Sequence, residues 1–369
     1  MTTAAPRRRS RTPTTLSWRS SGCEVRGMTS TLVEERAPQV SGARRGLVVL
    51  LLAGALALVC VASVLFGSQR ISPADVWHGL TVGTGDAGAI VQGMRVPRTI
   101  VGLAVGAALG IAGALIQGFT RNPLADPGVL GVNAGASLGV VIGVAFFGVS
   151  AASGYIWFSF AGAIAATVLV YLIGSAGRTA PDPLRMTLSG VALGAVMGGV
   201  VAAIGLLNPS VFDRMRSWNA GSLTSLTSDV YAVLPFVFIG LVLAFCLAPS
   251  LNALALGDDL ATALGSRVAL TRVLSIVAVT LLCGAATAAA GPIAFVGLMV
   301  PHAVRWFVGP HQGWILLGTV FAAPLLLLTA DVAGRLVLRT GELPVSVVTA
   351  VIGAPVLIAL VRRRKVSGL

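Results

Sequence analysis

The chain has 369 residues, 56% of them apolar and 11% charged, with a formal net charge of +13. Soluble domains carry roughly 25% charged residues, and a water-facing surface cannot be built from so few; the mean hydropathy of +0.90 agrees. These figures exclude a soluble globular enzyme and leave an all-α polytopic membrane protein.

Residues 1–45 hold nine arginines against three glutamates, among many Ser, Thr and Pro. They lack periodicity and read as a disordered basic tail on the cytoplasmic side, in which Met28 offers a second start. The first apolar run begins only near residue 46 and exceeds the length of a signal-peptide core, so no secretory signal is expected. Beyond the tail, 17 of the 26 basic and 10 of the 13 acidic residues remain, nearly all between apolar runs. Charges so placed fix topology rather than track phosphates, and no nucleic-acid partner is expected.

From residue 46 the chain repeats one unit, an apolar run of about 20 residues followed by polar punctuation. Runs lie near 46–67, 97–118, 129–149, 154–176, 186–207, 230–249, 268–290, 293–308, 313–334 and 345–361, which predicts ten crossings. The eighth is short, opens at Gly291-Pro292, and reads as tilted or partly re-entrant. Residues 46–365 thus make one transmembrane domain, and 366–369 a short C-terminal tail. With the N-terminus inside, twelve basic residues fall on inner loops against seven outside, which places both termini in the cytoplasm. The outer arginines are more numerous than topology requires.

In the second run, Gly102, Gly106 and Gly110 form a GxxxGxxxG series on one helix face. Such a face lets a neighbouring helix approach closely and gain packing that lipid would not supply. Between the second and third runs, Arg121, Asn122, Pro123 and Pro127 belong to a corner that cannot be continuous helix, with Asn122 and Asp126 placed to satisfy freed backbone groups. Pro292 and Pro301 read as further helix breaks, and His302 as a hydrogen-bonded interior residue.

Nothing in the chain supplies energy. Its one lysine, Lys365, follows Arg364, so no GxxxxGK[ST] phosphate loop exists. The three histidines (His78, His302, His311) are not grouped like zinc ligands, and the cysteines stand singly, as small hydrophobes. The apolar runs are nearly free of acids, Asp331 excepted, so a proton relay or an ion-coupled secondary carrier would have almost nothing to use.

One inner loop, residues 251–268, is shaped for contact. Gly257 breaks the preceding structure, Asp258 or Asp259 is placed to cap a short helix, Leu260, Ala261 and Leu264 give it an apolar face, and Gly265 suits its end. The residues leave two readings open: a loop helix lying on its own bundle, or a knob for a partner's groove.

Five blocks carry a family resemblance: RVPRTIVGLAVGAALGIAGALIQGFTRNPLADPGVLGVNAGA (95–136), LGDDLATALG (256–265), GPIAFVGLMVPHAVR (291–305), ADVAGRL (330–336) and ELPVSVVTAVIGAPV (342–356). In this order they resemble the FecCD-type permease subunits of ATP-driven importers for ferric siderophores, haem and vitamin B12, over about residues 46–365. The resemblance implies a ten-helix transport subunit in the cell membrane, itself not an enzyme, that dimerises with a like or unlike permease around a central pathway. It also implies two cytoplasmic ATPase subunits that hold ATP and magnesium, an extracytoplasmic binding protein, and a metal chelate as cargo, a ferric siderophore ahead of haem or cobalamin. No cofactor or metal is expected on the chain itself.

By the same resemblance, residues 256–265 are the coupling helix, with Gly257, Ala261, Leu264 and Gly265 at family positions and Asp258 and Asp259 facing a basic rim on the ATPase. Arg95, Arg98 and Arg335 stand where the family pairs arginines with glutamates of the binding protein, a contact that suits a permanently charged, bidentate guanidinium. From the residues alone, interfacial anchoring or a local Arg335–Asp331 pair at i, i+4 is the alternative. Ser346 is a departure, standing where the family often has glycine.

Overall fold

Ser41 starts the first helix. Its hydroxyl accepts from the Arg44 amide at 3.3 Å, so α1 (Gly42–Leu65) begins inside the segment expected to be tail. The computed structural model describes residues 41–69, 71–149, 152–176, 183–224, 227–338 and 341–363. Contacts divide the chain into Met1–Gln39, outside the described residues, and Val40–Leu369, which holds the helices. The short C-terminal tail, 366–369, also lies outside the described residues. No strand occurs among the described residues.

After α1 come two short helices that the hydropathy pattern did not announce. The first, α2 (Pro73–Thr81), is capped by Ser72 and has proline at its first position; the second is α3 (Gly85–Ile90). A π-helical turn, Val91–Arg95, joins α3 to α4 (Val96–Thr120). Pro97 has no N–H to give, and the Val96 amide reaches back five residues to the Val91 carbonyl. A 3₁₀ turn, Pro127–Leu130, leads into α5 (Val132–Phe147), followed by α6 (Ala152–Ser175), α7 (Pro183–Leu207) and the unforeseen α8 (Pro209–Asn219). The remainder is α9 (Thr227–Leu254), α10 (Asp258–Ala263), α11 (Val268–Ala290), α12 (Val296–Val308), α13 (Gln312–Val337) and α14 (Val345–Arg363).

Among the described residues, seven helices are long and apolar enough to cross a membrane, and the shorter apolar helices α5, α12 and α14 account for the remaining three predicted runs. The thirteen residues of α12 span about 20 Å at 1.5 Å per residue, short of a bilayer core. This is the short eighth run. It is preceded by a real break: Gly291 and Phe295 both take positive φ, 74° and 69°, and Pro292 lies between them. Pro301 is a correction. It does not end α12, which continues through it to Val308, because α4 satisfies the carbonyl that proline leaves without a donor.

The core gathers around α4, which packs against α9, α11, α12 and α13. The glycine series decides the α4–α13 distance. A Cβ at Gly102 would lie 2.3 Å from Leu328, at Gly106 2.6 Å from the Pro324 backbone, and at Gly110 2.4 Å from Ala323. The expected close approach is therefore made, and α13 is the helix that makes it. By contrast α1 and α7 are peripheral and expose most of their apolar surface.

Candidate functional site

Arg98 and Arg121 mark the two ends of α4, and each end carries a charged cluster. At the Arg98 end three guanidiniums meet two carboxylates. Arg98 holds Asp331 of α13 with Nε and Nη2, at 2.6–3.2 Å, and Glu342 of the α13–α14 loop with Nη1 at 2.6 Å. Arg335 pairs with the same Asp331, one helical turn away, and donates to the Ser63 and Phe66 carbonyls at 3.0 and 3.1 Å. Arg95 donates to the Val64, Leu65 and Gln69 carbonyls at 2.8, 2.7 and 2.6 Å.

Two arginines therefore cap the C-terminus of α1, where a helix has orphan carbonyls and the negative end of its dipole. That end offsets the one positive charge which Asp331 and Glu342 leave over. Thr99 donates to the Arg95 carbonyl, so Ser63 donates to Thr99 at 2.8 Å and its oxygen accepts from Arg335 at 3.1 Å. A cavity of about 80 Å³ remains between Arg95, Arg98, Arg335 and Glu342.

Of the two readings the residues left open for these arginines, the structure displays the local one. Arg95 is 4% and Arg335 3% exposed, with their donors directed at α1 and Asp331 rather than outward. Burial without partners would cost several kcal/mol, which is why so many acceptors converge. Burial raises the Glu342 carboxyl, but its hydrogen bond to Arg98 and the attraction of that charge outweigh this and hold it below its ordinary value.

At the Arg121 end, α10 stands between two glycines. Gly257 has φ of 108° and is the residue before the helix; no side chain caps it, which corrects the expected Asp258 or Asp259 cap. Gly265, with φ of 82°, closes the helix as expected. Its amide bonds the Thr262 carbonyl and the Ser266 amide bonds the Ala261 carbonyl, both at 2.9 Å, a Schellman ending. Asp258 is engaged instead with its own chain, 3.0 Å from Arg121 and 2.9 Å from Arg272 of α11. Asp259 is exposed. The apolar face divides: Ala261 is buried against the bundle, whereas Leu260 and Leu264, with Leu256 just before the helix, are 49, 62 and 61% exposed.

The corner between α4 and α5 has the form its residues imply. Arg121 takes a left-handed conformation, φ 53°, and Asn122 accepts from the Leu124 amide at 3.0 Å. Pro123 follows Asn122 in the turn; Asp126 accepts from the Gly128 amide at 2.7 Å, and Pro127 begins the 3₁₀ turn.

Several polar contacts inside the bundle were not singled out from sequence. Gln312 at the start of α13 donates to the Ala114 carbonyl at 3.0 Å and has its own amide held by Asn252 at 2.7 Å; Thr287 donates to Asn133 at 3.0 Å. An amide or hydroxyl in an apolar run was the available signal, since such groups need partners in a membrane. Ser346, the departure, donates to the Ala220 carbonyl and ties the start of α14 to the turn after α8.

Comparison with known proteins agrees with this architecture. The FecCD transport family matches residues 55–363. Over 322 residues, 85% of this chain and 96% of the relative, the chain is 50% identical to the ferric enterobactin transport system permease protein FepD of Escherichia coli (strain K12). It is 42% identical over 275 residues, 74% of this chain and 81% of the relative, to the Fe(3+)-citrate import system permease protein YfmD of Bacillus subtilis (strain 168). A solved inward-facing structure of a metal-chelate type ABC transporter superposes with a TM-score of 0.75 at 26% identity, covering 86% of this chain and 99% of that one. The fold is that of an ABC importer permease, and the chain belongs to the FecCD transport family.

Proposed function

We propose that this permease carries a ferric siderophore inward, in a dimer of permease subunits driven by two cytoplasmic ATPase subunits and loaded by an extracytoplasmic binding protein. The observation that carries the reading is α10, a six-residue helix that exposes Leu260 and is flanked by the exposed Leu256 and Leu264. An exposed apolar stripe on a short helix, at the end of the bundle that arginine placement assigns to the cytoplasm, fits a groove on a partner. Asp331, the acid within the apolar runs, is committed to ion pairs with Arg98 and Arg335, which disfavours ion coupling.

Both termini then lie in the cytoplasm and the Arg98 end faces outward. There Arg98, 12% exposed and opposite the partly exposed Glu342, is the arginine a binding-protein carboxylate would reach, by replacing Glu342. The cargo follows the relatives: ferric enterobactin is the chelate to test first. ATP and magnesium belong to the ATPase partners. Reconstituted alone in vesicles, the chain should accumulate no ferric enterobactin against a gradient; with ATPase and binding protein, uptake should require ATP. Uphill uptake by the chain alone would overturn the reading.

A further inference from the structure

The geometry points to Asp258 as a positioning residue that transmits movement of α10 into the bundle, through Arg121 to α4 and through Arg272 to α11. This rests on the reading of α10 as the ATPase contact and adds how a push on that helix reaches the transmembrane core.

The helix is poorly held by anything else. It is six residues long, too short to be stable alone. Its two flanking glycines, Gly257 and Gly265, take positive φ; a Cβ at Gly265 would meet nothing within 4 Å and one at Gly257 only Arg121 Nη1, at 3.8 Å, so both joints are loosely packed. Ala261 gives it one small buried side chain. A knob on two such joints, loaded on Leu260 and Leu264, would pivot without moving its support.

Asp258 removes that freedom. One carboxylate bridges two helices of the core: Oδ1 to Arg121 Nη2 at 3.0 Å, Oδ2 to Arg272 Nη2 at 2.9 Å, with Oδ1 also 3.1 Å from Arg272. Arg121 is the C-terminal cap of α4, and Arg272 is a buried residue in the first turns of α11. Those two helices have the largest buried shares of the long spans, 83 and 78%, so a displacement of Asp258 is delivered to the centre of the molecule. The carboxylate points toward its own bundle, whereas the leucines point away. Grip and transmission therefore reside in different residues.

The test uses the complete transporter in vesicles, reading ATPase co-purification, ATP hydrolysis and chelate uptake separately. Asp258→Asn should keep the ATPase bound and hydrolysing while uptake per ATP falls about tenfold; Asp258→Glu should restore most of it. Because Asp258→Asn leaves Arg272 buried beside a neutral group, Arg121→Gln provides a second variant at an exposed site and should give a smaller loss of the same kind. Adding Arg272→Gln to Asp258→Asn should cost little more than Asp258→Asn alone if the two act as one unit. Unchanged uptake per ATP in both Asp258→Asn and Arg121→Gln would overturn the proposal, as would loss of ATPase binding in Asp258→Asn. Failure of the underlying reading looks different: Leu256, Leu260 and Leu264 replaced together by Ser would leave ATPase binding intact.

Discussion

Gln117 and Pro301 complement each other across the α4–α12 contact. Pro301 cannot donate to the carbonyl of Gly297, four residues earlier, and Gln117 Nε2 supplies that carbonyl at 3.3 Å and the next one, Leu298, at 3.0 Å. In a bilayer no water would do so. Gln117→Leu should therefore destabilise the bundle by about 1–2 kcal/mol. Pro301→Ala, which restores the N–H, should reduce that loss when combined with it. Thermal unfolding in detergent of the single and double variants measures the coupling; strictly additive effects would contradict it.

The same contact sets a hard limit on side-chain size. A Cβ at Gly113 would lie 1.8 Å from the Gly297 carbonyl oxygen, and the obstacle is backbone. Gly113→Ala should lower stability by about 3 kcal/mol or prevent assembly. Gly54→Ala, in α1 with nothing within 4 Å, should be neutral or slightly stabilising through helix propensity. The difference in unfolding temperature between the two is the measurement.

Asp331 is shared by buried Arg335 and partly buried Arg98, so its removal leaves Arg335 without its charge partner and Arg98 with Glu342 alone. Asp331→Asn should destabilise by about 3–5 kcal/mol, more than Glu342→Gln, whose carboxylate is partly exposed. Arg95→Gln should likewise lower the unfolding temperature, because it uncaps α1. A variant that lost binding-protein affinity at unchanged stability would show Arg95 to be a contact residue instead.

Acid should weaken the pair between Glu342 and Arg98. Its folded value lies below the ordinary carboxylate value of 4.5, since pairing with Arg98 outweighs burial. A lowered folded value means that the ionised form is favoured in the folded chain. The stability it contributes is fully present above pH 4.5 and is lost as pH falls below that toward the folded value. Glu342→Gln should flatten the stability profile between those limits, as followed by unfolding in detergent across pH.

Much of this architecture was legible because it is local. Ten apolar runs, the corner at Pro123 and Pro127, the left-handed Gly265 and the glycine face of α4 each follow from neighbours within one or two helical turns. Apart from the i, i+4 pair of Arg335 with Asp331, the partners of Arg95, Arg98 and Arg335 were not legible. Arg98 finds Glu342 across 244 positions and Arg335 finds Ser63 across 272, and no periodicity encodes such partners. Asp258 failed as a cap for the same reason: Arg121, 137 residues away, competes for its oxygens. Pro301 resembled a break because its rescuer, Gln117, lies on another helix. The short helices α2, α3 and α8 escaped because hydropathy marks crossings and not the amphipathic pieces between them.

The capped end of α1 has a consequence for biogenesis. This first span buries little of its surface, and its terminal carbonyls wait for Arg95 and for Arg335, the latter 272 positions downstream of Ser63. The first of the long apolar helices is thus among the last to be completed, and a nascent chain arrested before α13 would carry that span with its terminal carbonyls still short of a donor.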